Sequence, residues 1–119
     1  MNDTVMNNAE YIEIAETLYN AIEDTLDNWN QPNGVELDYE NASGVLTIEC
    51  EDTGTQVIIS RQQATQQIWV AAKSGGFHHI YSDGVWRCTK TDETLGELLS
   101  RTCTEQSHAA VSFHHIDTL

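Results

Sequence analysis

Carboxylates are the residues whose spacing could do chemistry in this chain. Glu10, Glu13, Glu16, Glu23, Asp24 and Asp27 follow one another with no Lys or Arg among them, and Val35-Glu36-Leu37-Asp38-Tyr39-Glu40 then places an acid at every second position. On a helix, Glu23 with Asp27 or Glu13 with Glu16 would stand about 5 to 6 Å apart at Cβ, close enough to share a cation. A solvated helix face usually mixes signs, because like charges at that spacing lose a few tenths of a kcal/mol, roughly what opposite charges gain. Oxygen donors without thiolates suit hard ions: ferrous and ferric iron, Mn, Ca or Mg. A surface collection of this kind is open and weak, with little geometric selectivity. Acidic runs also serve simply to keep a protein soluble, so charge by itself does not assign a metal.

Other chemistries find less support. Cys50, Cys88 and Cys103 form an odd set without close spacing, which disfavours a disulfide framework, a thiolate zinc site or a cluster held by this chain alone. His78 and His79 are neighbours on an expected strand and point to opposite faces, so they cannot chelate one ion together. His114 and His115 could bind metal adventitiously, and His108 has no ligand context. No nucleophilic triad, phosphate loop or zinc motif occurs, and Ser60, Ser112 and Gly75-Gly76 have no motif context. Enzymatic turnover is disfavoured, although oxidation of ferrous iron would need only carboxylates, iron and oxygen.

The elements that must position the acids are legible from periodicity. At about 100° per residue, Tyr11, Ala15, Leu18, Ile22, Leu26 and Trp29 share one arc of a helix and the acids lie on the far side. Asn7, with Glu10 three residues on, forms a capping box, so the helix is expected from about Asn8 to Asn30, where Gln31-Pro32-Asn33-Gly34 stops it. Alternation then predicts strands over 35–40, 45–51, 56–60, 66–71, 77–81 and 85–88, joined by turns such as Asn41-Ala42-Ser43-Gly44 and Asp52-Thr53-Gly54-Thr55. In the fourth, Ile68 and Val70 face the core, so Trp69 points outward beside Gln67, an arrangement enriched at partner surfaces unless a loop or the tail covers the indole. Thr91 or Asp92 would cap a second helix with Leu95, Leu98, Leu99 and Thr102 inward, running to about Gln106. Val111 and Phe113 could pack back between the helices, and residues 114–119 read as a loose tail. Helix, consecutive strands and helix imply an α+β two-layer sandwich: an antiparallel sheet of five to six strands, both helices on one face, the other face open.

The chain has 119 residues and a formal charge of −14, yet 39% of its residues are hydrophobic, which fits one folded acidic domain over 1–119 rather than disorder. All five basic residues (Arg61, Lys73, Arg87, Lys90, Arg101) lie after residue 60, and 13 of the 19 acids lie before it. Such a field disfavours nucleic acid and acidic membranes and steers cations or a basic protein surface toward the first half. Met1-Asn2-Asp3-Thr4 lacks the basic region and apolar run of a signal peptide, and no stretch approaches the roughly 18 apolar residues of a membrane span, so bacterial cytoplasm is the expected location.

From Tyr11 to about Phe113 the chain resembles the bacterial frataxin family, the CyaY branch. The residues that carry the likeness are Glu23-Asp24-Thr25-Leu26-Asp27-Asn28-Trp29, Gly44-Val45-Leu46-Thr47-Ile48, Arg61-Gln62, Gln67-Ile68-Trp69-Val70-Ala71, Gly75-Gly76-Phe77-His78, and Leu95 with Glu97-Leu98-Leu99. The resemblance implies the same sandwich, weak iron binding, and regulation of iron–sulfur cluster assembly through contact with the cysteine desulfurase. It places Glu23, Asp24, Asp27, Glu36, Asp38, Glu40 and Glu51 on an acidic ridge and Trp69 on the exposed sheet. Asn28 and Asn30 stand where the family tends to have further Asp, Ser60 and Ala64 replace an Asn and a Pro around Arg61-Gln62, and the last six residues extend past the usual end.

The reading that follows is a binding and regulatory protein. Its metal residues are Glu13, Glu16, Glu23, Asp24, Asp27, Glu36, Asp38, Glu40 and Glu51, with iron bound weakly and other di- or trivalent cations as mimics. Glu23, Asp24, Asp27, Gln67 and Trp69 would meet the desulfurase, and a cluster scaffold protein is a second candidate partner. The chain is expected to be a monomer that metal could drive into oligomers. A ferroxidase or iron-storage enzyme, and an acidic mimic of nucleic acid, are the alternatives from other classes.

Overall fold

The computed structural model describes residues 6–119; Met1-Asn2-Asp3-Thr4, read above for a leader, lies outside them. Helix α1 (Asn8–Asp27) opens with the expected capping box. Asn7 Oδ1 accepts from the Glu10 amide at 2.8 Å, and the Asn7 amide donates to Glu10 Oε1 at 3.0 Å. Its buried stripe is Tyr11, Ala15, Leu18, Tyr19, Ile22 and Leu26. The helix stops at Asp27, three residues before the expected end, because the Asn28 side chain donates to the Asp24 carbonyl and Gln31 and Asn33 take positive φ. Trp29 therefore leaves the helical stripe. It stays half-buried, its indole N–H donating to the Val35 carbonyl at 2.9 Å.

Six strands follow in chain order as one antiparallel sheet: β1 (Leu37–Ala42), β2 (Val45–Cys50), β3 (Thr55–Gln62), β4 (Gln67–Ala72), β5 (Gly75–Ser82) and β6 (Val85–Cys88). β1 begins at Leu37 rather than Val35 because the Val35 amide closes a turn onto the Pro32 carbonyl. One face of the sheet buries Leu46, Ile48, Val57, Ile59, Ile68, Val70, Phe77 and Trp86, a period of two that matches the pleat. Both helices cover that face and the other is open, so the expected α+β two-layer sandwich is the observed one.

Helix α2 (Leu95–Ser107) is capped by Thr94, not Thr91 or Asp92. Thr94 Oγ1 accepts from the Glu97 amide at 3.1 Å, while Thr91 is spent on the preceding turn, where its hydroxyl accepts from the Glu93 amide. The segment after α2 departs from the expected loose tail. Val111 and Phe113 are buried as anticipated, and residues His114–Thr118 then form a short 3-10 helix with Ile116 only 4% exposed. Asp117 holds that turn against α2: its carboxylate accepts from the Gly96 amide at 2.9 Å and from the Thr94 hydroxyl at 2.6 Å. An anion at a helix N-terminus is favoured by the unsatisfied N–H groups and the dipole there. Gly96 makes the approach possible, since a Cβ at that position would stand 2.5 Å from Asp117 Oδ2.

His79 is the polar exception in the core. Fully buried on β5, it has no hydrogen-bond partner for Nδ1 or Nε2 among the described residues. Burial pushes its pKa down to about 4, against weaker upward pulls that include the Glu93 and Asp117 charges.

Candidate metal and partner site

The carboxylates meet along the edge formed by β1, and the pleat of that strand decides which way each points. Leu37, Tyr39 and Asn41 lie on the helix side, while Asp38 and Glu40 lie on the open side and are exposed. Glu23 and Asp27 lean down from α1 onto the first set. Asp27 Oδ1 accepts from the Tyr39 hydroxyl at 2.7 Å, and Glu23 Oε2 accepts from Asn41 Nδ2 at 2.7 Å. That hydrogen bond to Asp27, together with some burial and the charges of Asp27, Glu23 and Asp24, pushes the Tyr39 pKa up to about 12. The phenol is a fixed donor to the carboxylate.

On the open side, Asp38 stands opposite Glu49 in the β1–β2 register, and the Glu51 amide donates to the Glu36 carbonyl. Glu51 is held above the usual carboxylate range because it shares a hydrogen bond with Asp38, with the like charges of Asp38, Glu49 and Glu36 adding to the effect. A carboxyl pushed upward by neighbouring carboxylates marks a place where positive charge is scarce. The acids thus form two clusters folded around one strand edge. The reason is that α1 packs on the face toward which Tyr39 points, so alternate residues must turn away from it.

The remaining acids named from the sequence sit farther off. Glu16 and Glu13 lie 11 and 14 residues before Asp27, about 16 and 21 Å along the helix axis at 1.5 Å per residue. Glu13 borders a small cavity of about 110 Å³ with Tyr81, Trp86 and Ile116. Asp24 turns to the other flank of α1, into a groove with Asn28 and His115. Glu40 is exposed on β1. Among the described residues no three His, Cys, Asp or Glu side chains converge into a ready cage. Such an arrangement can hold a cation through a few oxygens at a time, with water completing its shell.

Sequence reasoning omitted Glu49 from the set, although its place beside Thr47 on the open face of β2 was legible; register with Asp38 is what brings it into the cluster. The basic residues do not neutralise either cluster. Among the described residues the ion pairs are Arg87–Asp92 at 3.9 Å, Arg101–Glu93 at 2.9 Å and Arg101–Glu105 at 3.6 Å, all in the second half of the chain. Arg61 instead lies over the Tyr19 ring at 4.7 Å, and Lys90 over Phe77 at 4.8 Å.

Trp69 lies on the open face, partly exposed. Its indole N–H donates to Gln67 Oε1 at 2.7 Å, and its ring stacks on His78 with centroids 4.2 Å apart and planes 10° from parallel. With Ile80 43% exposed one row away, this makes an aromatic and apolar strip between the acidic edge and Arg87 on β6. His79, the next residue in chain, points into the core, as the alternation required.

Fold and site together define a small acidic α+β sandwich protein with an open sheet face and an unneutralised carboxylate edge. The chain belongs to the frataxin-like domain family, whose model matches residues 4–109. It is 44% identical over 110 residues to the iron–sulfur cluster assembly protein CyaY of Pseudomonas aeruginosa, covering 91% of this chain and 97% of that one. The CyaY of Stutzerimonas stutzeri is 40% identical over 113 residues, 93% and 98% of the two chains. Among solved structures, a frataxin from Psychromonas ingrahamii superposes with a TM-score of 0.79 at 33% identity, covering 91% of this chain and 98% of its own. A trimeric yeast frataxin complexed with ferrous iron matches at TM-score 0.60 and 20% identity over 91% of each chain, a likeness of fold.

Proposed function

We propose that this protein acts in iron–sulfur cluster assembly in the bacterial cytoplasm, binding iron weakly at the β1 edge and contacting a cysteine desulfurase through the same acidic surface. The observation that carries the reading is the gathering of Asp38, Glu49, Glu36 and Glu51 on one strand edge, with no Arg or Lys ion-paired to them among the described residues. An incoming Fe2+ or Fe3+ would relieve the repulsion among these carboxylates, as would Co2+ or a lanthanide. The names of the CyaY relatives support the assembly role. The spread of the carboxylates over an open edge, with no three-ligand group among the described residues, supports weak binding.

The desulfurase would present a basic patch to Glu23, Asp24 and Asp27, with Trp69 and Gln67 as the less polar contact. Fields of this sign raise association rates and lose their effect with salt. The test is a calorimetric titration of the desulfurase with the wild type and with a Glu23→Lys, Asp24→Lys, Asp27→Lys variant of unchanged circular dichroism. Loss of binding is expected. Unchanged affinity would overturn the partner assignment. A melting temperature indifferent to millimolar Co2+ would overturn the metal assignment, since one site gains about 1.4 kcal/mol per decade of free ion above its Kd.

A further inference from the structure

The groove on the far flank of α1 has a composition unlike the carboxylate edge. It encloses about 520 Å³ between the last turn of the helix and the C-terminal segment, and Asp24, Asn28, Trp29 and His115 line it. The hydrogen bonds there fix the tautomer of His115. The Thr25 hydroxyl lies 2.9 Å from the Ala21 carbonyl, to which it must donate, and 2.7 Å from His115 Nε2. Its single proton is therefore engaged, so Nε2 carries the hydrogen and donates to Thr25 Oγ1. The imidazole is left with an unprotonated Nδ1 that has no partner among the described residues.

This is how metal-binding histidines are held. One ring nitrogen donates to a fixed oxygen, which sets the orientation and frees the other for the ion. Asn28 is arranged similarly: its Nδ2 donates to the Asp24 carbonyl at 2.8 Å, leaving Oδ1 as an unused acceptor in the same groove. The end of α1 adds the negative pole of its dipole, with no basic residue in the last turn to offset it.

We propose that this groove is a mixed nitrogen–oxygen site for a late first-row dication, Zn2+ or Cu2+, with His115 Nδ1, the Asp24 carboxylate and Asn28 Oδ1 as ligands and water in the open positions. An imidazole ligand steepens the order of divalent ions that ends in copper, whereas the all-oxygen edge at Asp38 and Glu51 discriminates less among them. The groove does not rest on the iron-binding reading, because Asp24 turns away from the β1 edge and is shared only with the proposed desulfurase contact. It separates the protein's response to soft or borderline metals from its response to hard ones.

The experiment is calorimetry with Zn2+ and with Ca2+ on the wild type, His115→Ala, His114→Ala and Glu51→Gln, with Cu2+ electron paramagnetic resonance on the same proteins. Both histidines are exposed, and circular dichroism verifies the fold. Zn2+ should bind at least tenfold more tightly than Ca2+. His115→Ala should lose at least tenfold for Zn2+ and the single-nitrogen splitting of Cu2+, while His114→Ala stays within twofold of the wild type. Cu2+ should also broaden the Trp29 indole resonance. Equal losses in the two histidine variants would mean a non-specific His-His tail and overturn the site, as would Zn2+ binding no tighter than Ca2+. If Glu51→Gln loses Ca2+ binding while His115→Ala leaves Zn2+ binding unchanged, this site falls and the edge stands; loss of Zn2+ binding in His115→Ala with Ca2+ binding intact in Glu51→Gln keeps this site and removes the edge.

Discussion

Replacing His79 with Leu should remove a specific part of the acid sensitivity of the fold. In the native state the imidazole titrates at about 4, against 6.5 for the exposed group. The unfolded chain therefore takes up a proton that the folded chain refuses. Stability from this source is complete above about pH 6.5 and declines as pH falls toward 4. At one pKa unit per 1.36 kcal/mol the full loss is about 3 kcal/mol, of which about 2 kcal/mol is already gone at pH 5. Glu93 and Asp117 face His79 and temper the effect, whereas neighbouring His78 works against protonation. Protonating the carboxylate clusters relieves repulsion and acts in the opposite direction, but equally in both proteins. The assay is urea unfolding of wild type and His79→Leu at pH 7.5, 6 and 5. The variant should match or exceed the wild type at pH 7.5, since two unsatisfied ring nitrogens leave the core. Its advantage should then grow by about 2 kcal/mol at pH 5. Parallel loss of stability in the two proteins would refute the reasoning.

Asp117→Ala should cost about 1 to 2 kcal/mol by removing the acceptor shared by the Gly96 amide and the Thr94 hydroxyl; an unchanged urea midpoint would show that the C-terminal turn does not brace α2. Trp69→Ala should weaken binding of the desulfurase at least tenfold, because a half-exposed aromatic anchor contributes more to an interface than to a core. The unfolding midpoint serves as the control, and a variant with intact affinity would remove the open face from the interface.

The helix stripes, the strand alternation and the Asn7–Glu10 capping box were legible because each is encoded within a few residues. Trp29 misled the periodicity: it falls at the right angle on a helical wheel, but the chain has already left the helix at Asn28. The Thr94 cap was missed for a related reason, since Thr91 and Asp92 are equally good capping types and only the turn after β6 decides among them. At the acidic edge, types and order were readable, but their distribution around β1 was not. It depends on which face of the strand α1 covers and on the register that sets Asp38 against Glu49. Asp117 lay beyond local reasoning, because its partners at Thr94 and Gly96 are more than 20 residues away in sequence.

As a border of the sheet, β1 leaves one row of backbone N–H and C=O groups without a neighbouring strand among the described residues. Such a row is a template onto which another chain can add. Asp38 and Glu40 make the template self-rejecting, because a second copy arriving there would bring carboxylate against carboxylate. A cation that settles on these side chains cancels the rejection as it binds. Loading and stickiness would then rise together, and a chelator would dissolve whatever chains of molecules had formed.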